Sequence, residues 1–205
     1  MKIITIFTSL LLLISTPIFS QSGKHQSNDH KQIIKLGVNT FFDTDEFPFS
    51  ISWERKIAAN ESFQIGVLPR FSSYDGQKTS GAGINFAYRK YISKNRSGIS
   101  GLFISPIVKV GYLKENNGYT YTINGNPSQL VRVDYNSKRN QYSAGVVFGH
   151  SWVYKSGFSF ELSGGMGYYK TSNSSDELSN GTLYNRKYTE SGILPQVQLG
   201  LGYAF

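Results

Sequence analysis

The chain has 205 residues, with 21 Lys+Arg against 13 Asp+Glu, a net charge of +8, and no cysteine. Without thiols there is no disulfide framework, thiol nucleophile, cysteine-ligated metal or lipid-modified N-terminal Cys. Aromatics at 15% beside 21 glycines argue against a soluble helical domain, where each interior glycine costs about 1 kcal/mol; the basic balance points to anionic surfaces ahead of nucleic acid.

Met1-Lys2 leads into an almost uncharged run from Ile3 to Phe19 that ends at the small Ser20. This predicts a cleaved secretory signal over residues 1–20: the apolar core is short, and Pro17 suits a cleavage region better than a helix interior. Residues 21–32 are polar and aperiodic, a flexible lead. Its His25 and His30 are too few ligands for a metal site. Residues 33–205 then form one domain. No other window approaches the roughly 18 apolar residues of a spanning helix, so a membrane form must cross as strands, which leaves a barrel or a soluble periplasmic protein.

From Ile34 the apolar pattern has period two. The first strand sets Ile34, Leu36, Val38, Thr40 and Phe42 against Lys35, Gly37, Asn39 and Phe41; the second sets Phe49, Ile51, Trp53 and Ile57 against Ser50, Ser52, Glu54 and Lys56. The third has Phe63, Ile65, Val67, Pro69 and Phe71 opposite Gln64, Gly66 and Arg70, and the fourth has Ile84, Phe86 and Tyr88 opposite Gly83, Asn85, Ala87 and Arg89. In the fifth, Leu102, Ile104, Pro106, Val108, Val110 and Tyr112 oppose Ser105, Lys109 and Gly111. The sixth carries Tyr142, Ala144, Val146, Phe148, Trp152 and Tyr154 over Ser143, Gly145, Gly149 and Ser151. The seventh carries Phe158, Phe160, Leu162, Met166 and Tyr168 over Ser159, Glu161, Ser163, Gly165 and Gly167. The last runs through Ile193, Pro195, Val197, Leu199, Leu201, Tyr203 and Phe205, with Gln196, Gln198, Gly200, Gly202 and Ala204 between. The expected fold is all-β: an eight-stranded antiparallel up-and-down transmembrane barrel, the even strand number suiting a single-chain bacterial barrel.

The connections alternate in length. Residues 58–62, 93–98 and 155–157 read as short periplasmic turns, and 43–47, 73–80, 115–139 and 172–191 as outer loops, the last two long and polar. Aromatics on the greasy face gather at both strand ends, with Trp53, Phe63, Tyr88, Trp152, Tyr154, Phe158, Tyr203 and Phe205 at the periplasmic end and Phe42, Phe49, Phe71, Tyr112, Tyr142 and Tyr168 at the outer end. Aliphatics such as Ile51, Val67, Val108 and Leu162 lie between. Sorting by height is what two membrane interfaces impose.

The opposite face carries Lys35, Glu54, Lys56, Arg70, Arg89, Lys109 and Glu161. An eight-stranded lumen is just wide enough for side chains to fill, so these charges are expected to pair across a plugged interior rather than to line a conducting path. His150 falls on the lipid face between Phe148 and Trp152. A catalytic role there, like that of a lipid A deacylase, would need a nucleophile within reach, yet Ser151 points the other way and no carboxylate is placed to orient the ring; a bulge or an interfacial contact is the plainer reading. Pro69, Pro106 and Pro195 each remove a ladder donor, which bulges are expected to absorb. Gly164-Gly165-Met166-Gly167 lacks the strand-to-helix context of a phosphate loop and reads as room for neighbouring side chains.

Three stretches carry a family resemblance: Ser52-Trp53-Glu54-Arg55-Lys56-Ile57, Tyr88-Arg89-Lys90-Tyr91 and the ending Leu199-Gly200-Leu201-Gly202-Tyr203-Ala204-Phe205. With these, the segment after the leader resembles the small eight-stranded outer-membrane proteins of the OmpA and OmpX type. The resemblance implies that Tyr203 and Phe205 serve as the signal read by the barrel-assembly machinery. It also implies the outer membrane of a Gram-negative bacterium as the location, periplasmic chaperones during export, and outer-membrane lipid and lipopolysaccharide as partners. Lys114, Arg132, Lys138 and Arg139 near the third outer loop read either as solvated surface charges or as contacts for lipid phosphates. No nucleic acid, cofactor, metal or catalytic residue is expected, and the barrel is expected to be a monomer with a structural or surface-interaction role. The rivals are a lipid-modifying enzyme centred on His150 and a narrow channel.

Overall fold

The computed structural model describes residues 30–41, 49–74, 77–92, 99–122, 130–179 and 182–205; the expected leader, most of the polar lead and Phe42 lie outside them. Eight strands follow in order: β1 (Gln32–Phe41), β2 (Phe49–Ala58), β3 (Glu61–Tyr74), β4 (Gln77–Tyr91), β5 (Gly101–Thr122), β6 (Leu130–Val153), β7 (Phe158–Ser179) and β8 (Thr182–Ala204). Each pairs antiparallel with its neighbours in sequence, and β8 returns to β1 to close the ring.

Closure is made by the main chain at the end that carries residue 205, called the lower end. The Lys31 and Gln32 N–H groups both donate to the Phe205 carbonyl at 3.1 Å, and the Phe205 N–H donates to the Gln32 carbonyl at 2.9 Å. Closing the sheet removes the unpaired edges that an open sheet would present. Two tight turns are seen at this end. Residues 59–60 join β2 to β3, with a register shift between Lys56 and Ala58. Residues 154–157 join β6 to β7, where Gly157 adopts a φ of 86°, a conformation that side chains resist. The Gly157 carbonyl also accepts from the Ala204 N–H at 2.7 Å, tying this turn to the last strand.

The period-two pattern sorts the faces as the sequence implies, with the apolar side chains outward. Leu36 is 62% exposed while its neighbour Lys35 is 3% exposed. Along β2, β4 and β7 the exposed Ile51, Phe86 and Leu162 alternate with the buried Ser52, Ala87 and Ser163.

The upper end departs from expectation. Residues 115–139 and 172–191, read from sequence as long loops, are largely strand: β5 and β6 pair out to Thr122↔Leu130, and β7 and β8 pair out to Ser179↔Thr182. The expected loop at 73–80 is likewise mostly ladder, ending at Tyr74↔Gln77. Strand hydrogen bonding needs only the main chain, whereas the apolar rhythm marks the stretch that must meet a greasy surface. Where both faces are wet, the strand continues and the rhythm disappears. Among the described residues β5–β8 run to 22 to 24 residues, beside 10 each for β1 and β2.

The strand prolines are accommodated without bulges, since the register runs through Pro69↔Ala82, Pro106↔Val146 and Met166↔Pro195 unshifted. Pro69 and Pro106 each sit where a ladder is open on one side. β2, although described from Phe49, pairs with β3 only as far as Ile51↔Val67, below Pro69. At Pro106 the β4–β5 ladder passes from Ala87↔Ile107 to Lys90↔Ile104, skipping the rungs of Tyr88 and Arg89. A residue with no N–H costs little where no acceptor waits for it.

Candidate functional site

The lumen is built from small inward residues that leave room for a few large ones. Gly149 shows how tight the space is: a Cβ there would stand 2.5 Å from Phe103 Cζ and 2.6 Å from Ser163 Cβ. In the space so made, Lys35 of β1, Glu54 of β2, Arg89 of β4 and Glu161 of β7 converge, every one of them buried. Arg89 grips Glu161 with both terminal nitrogens, at 2.6 and 2.8 Å, and approaches Glu54 at 3.2 Å. Lys35 pairs with Glu161 at 2.6 Å and with Glu54. Glu54 also accepts from the Tyr91 hydroxyl at 2.7 Å and from Ser62, while Lys35 reaches Gln64 at 3.3 Å.

Two cations and two anions therefore cancel within one cluster. Buried charge is tolerable only when paired and further hydrogen-bonded, and a bidentate Arg–carboxylate contact is the strongest such pairing. The guanidinium carbon of Arg89 also lies 4.4 Å from the centre of the Phe103 ring, which adds a cation–π contact. Below the charges, Ile33, Tyr91, Ile99, Phe103 and Ala204 form an apolar floor, and Leu68 and Leu113 make a smaller apolar contact on the upper side.

The other inward charges lie elsewhere. Lys56 is half-buried near the lower rim, in register with Ser62. Lys109, four residues above Ser105 on β5, donates to Gln196 at 3.3 Å, and Arg70 sits high on β3 at the level of Gly81. Higher still on the inner face, Arg139 pairs with Glu115 at 3.3 Å and donates to Asn173 at 3.0 Å. Arg132 lies in β6, opposite Thr120 in the ladder. The buried apolar residues of β5 escape sequence reading because that strand is greasy on both faces, so Phe103 in the floor and Ile107 above it vanish beside Leu102, Ile104 and Val108; following inward parity through β5 finds them.

His150 lies in register with Leu102 and Leu162, and its ring packs against Trp152 at 4.2 Å between centres. Ser151 is fully buried on the inner side, and its backbone carbonyl accepts from Ser100 Oγ at 3.1 Å. The imidazole and the serine hydroxyl thus stand on opposite sides of the wall and do not form a nucleophile–base pair with each other. No group of three or more His, Cys, Asp and Glu able to hold a metal occurs among the described residues.

On the outer surface the lower aromatics pack on one another. Trp152 lies 5.3 Å from Phe160 and Tyr154 lies 5.9 Å from Phe158, centre to centre, while Trp53 Nε1 donates to Gln32 Oε1 at 2.9 Å. Tyr203 and Phe205 end the chain on this belt, both exposed. Above it the outward face is mainly aliphatic, with Phe86 and Phe148 among the aliphatics, and above that stand Phe49, Phe71, Tyr112, Tyr142 and Tyr168, again exposed. The class this geometry defines is an inside-out antiparallel β-barrel, polar and charged within and apolar without.

No protein-family model and no curated protein matches the chain. Among solved structures it is similar to a major outer-membrane protein from Thermus thermophilus, at 12% identity and a TM-score of 0.46 over 85% of this chain and 99% of that one. It is also similar to the outer-membrane protein AlkL in DMPC lipid bilayers, at 10% identity and a TM-score of 0.49 over 90% of this chain and 94% of that one. The translocator domain of the autotransporter NalP from Neisseria meningitidis is similar at 10% identity and a TM-score of 0.45, covering 98% and 97%.

Proposed function

We propose that the chain is exported and acts as an integral outer-membrane β-barrel of a Gram-negative bacterium, with a structural or surface-interaction role rather than a catalytic one. The observation that carries this reading is the exposed outer face itself, on which Leu36, Ile51, Val67, Val108, Phe148 and Leu201 remain uncovered on strands whose inner sides are polar. Soluble monomers rarely leave continuous apolar patches of more than a few hundred Å² (roughly 300–600) in contact with water. A hydrocarbon layer bounded by two aromatic belts accounts for both the patch and its borders.

Within this reading the lower end faces the periplasm, and residues 1–20 are the leader removed during export. Tyr203 and Phe205 are the side chains offered to the assembly machinery after periplasmic chaperones deliver the chain. The charge cluster and its apolar floor close the lumen, so the monomeric barrel does not conduct. The tall β5–β8 wall stands above the outer leaflet and meets lipopolysaccharide or outside partners.

Fractionation to the outer membrane, together with heat-modifiable migration on a gel, tests the architecture; a freely soluble mature chain would refute it. In a planar bilayer the purified protein should give no conductance steps, and regular steps would overturn the closed lumen. Replacing residues 117–135 by a short turn should leave an inserted barrel, because the ladders below Asn116↔Asn136 do not depend on them.

A further inference from the structure

On the outward side of the tall wall, one rung of the ladder carries lysines on three of its four strands. Lys114 of β5 stands directly across from Lys138 of β6, Lys138 across from Ser174 of β7, and Ser174 across from Lys187 of β8. All three lysines are exposed. Like charges placed directly opposite on a sheet face repel. Among the described residues no acid makes a salt bridge to this row: Glu115 faces inward and pairs with Arg139, and Asp176, one outward position higher, accepts from the Asn185 side-chain amide at 2.6 Å. At the strand spacing of about 4.8 Å, the row is roughly 15 Å long and runs around the barrel just above the tyrosines.

A second feature lies below it on the same strands. A shallow, wide-open groove of about 580 Å³ lies on the outer face among Ala144, Val146, Phe148, Met166, Tyr168 and Ile193. Ala144 is small where its outward neighbours along β6, Tyr142 and Val146, are large, and it faces Tyr168 across the ladder. Lys170, the next outward residue above Tyr168 on β7, is exposed at the groove's upper end. The cationic row stands six rungs above the upper edge of the trough, about 20 Å along the strand, with Lys170 between them. An apolar trough below cations matches one kind of molecule, an amphiphile with a long hydrocarbon tail and a phosphorylated head.

We infer that the β5–β8 face is a binding site for a phosphate-bearing lipid, its acyl chain in the Ala144–Tyr168 groove and its phosphates on Lys114, Lys138 and Lys187. The inference rests on the membrane-embedded reading above. Lysine is a point-charge phosphate ligand that does not require one bidentate geometry. A row of three therefore suits headgroups lying along a membrane surface better than a single enclosed ion.

The test uses the mature barrel reconstituted in phosphatidylcholine nanodiscs doped with lipopolysaccharide in one arm and phosphatidylglycerol in the other. Lipid retained after extraction is counted by native mass spectrometry. Heat-modifiable migration of each preparation is checked first, so that a wild-type chain that fails to insert refutes the membrane reading and this site together. For inserted protein, the triple variant K114Q/K138Q/K187Q should bind the doped anionic lipid about a hundredfold more weakly, since each lysine near an anionic surface is worth about a factor of five. Ala144→Phe, which fills the groove, should weaken it further, and Lys90→Gln at the lower end should change nothing. Preference for lipopolysaccharide, for phosphatidylglycerol or for both equally supports phosphate recognition and names the source. Equal retention by wild type and triple variant, or an equal loss in Lys90→Gln, overturns the site while leaving the barrel standing.

Discussion

The two sets of charges in this barrel obey opposite rules. Inside, Lys35, Arg89, Glu54 and Glu161 are buried and balanced, each ion within reach of two of opposite sign. Outside, Lys114, Lys138 and Lys187 share one sign, one rung and full contact with the surroundings. Burial makes the difference. A charge taken out of water must find its counter-ion within the protein, whereas a solvated one can wait for a partner that is not part of the chain. The inner set is therefore expected to govern folding and the outer set association.

The contrast is broken most directly at the inner set. Glu161→Leu leaves Arg89 and Lys35 short of a counter-ion in the lumen and should cost about 3–5 kcal/mol of unfolding free energy, measured by urea titration in lipid vesicles. A loss below about 1 kcal/mol, the range of an exposed pair, would mean that the cluster is solvated and the lumen is open. Charges placed on the outer wall sharpen the picture next. Val146→Arg, in the aliphatic band, should cost about 2–4 kcal/mol, and Tyr203→Arg, in the lower belt, about 0–1 kcal/mol. Equal costs would remove the case for a hydrocarbon layer between the belts. Gly149→Ala presses a methyl group against Phe103 and Ser163 and should cost roughly 1–3 kcal/mol in the same titration. Smallest of all, the triple lysine variant should stay within about 0.5 kcal/mol of wild type in stability; a larger drop would give those lysines a folding role and erase the distinction.

What the sequence makes legible follows from what leaves a one-dimensional trace. Alternation of period two is local, so Leu36 against Lys35 and Ile51 against Ser52 show both the strands and their faces. Membership of the charge cluster is not local. Lys35 meets Glu161 across 126 positions, and which inward charges share a level depends on the stagger of eight strands, which no single strand encodes. Inward parity therefore picks out Lys56, Arg70 and Lys109 together with the four that converge. The upper strands leave no such trace because Asn, Ser and Thr on both faces carry no contrast, although their main chains pair as fully as those below. Sequence alone points to bulges at Pro69 and Pro106 because a lone strand does not show which of its two sides lacks a neighbour.

The seam where Phe205 exchanges hydrogen bonds with Gln32 constrains how the molecule comes into being. β1 is completed only by β8, so on the membrane reading proposed above a sheet lacking β8 has two raw margins that hydrocarbon cannot satisfy. On that reading, entry into the bilayer and zipping of the seam are coupled, because a sheet short of one strand keeps unpaired edges that hydrocarbon does not satisfy.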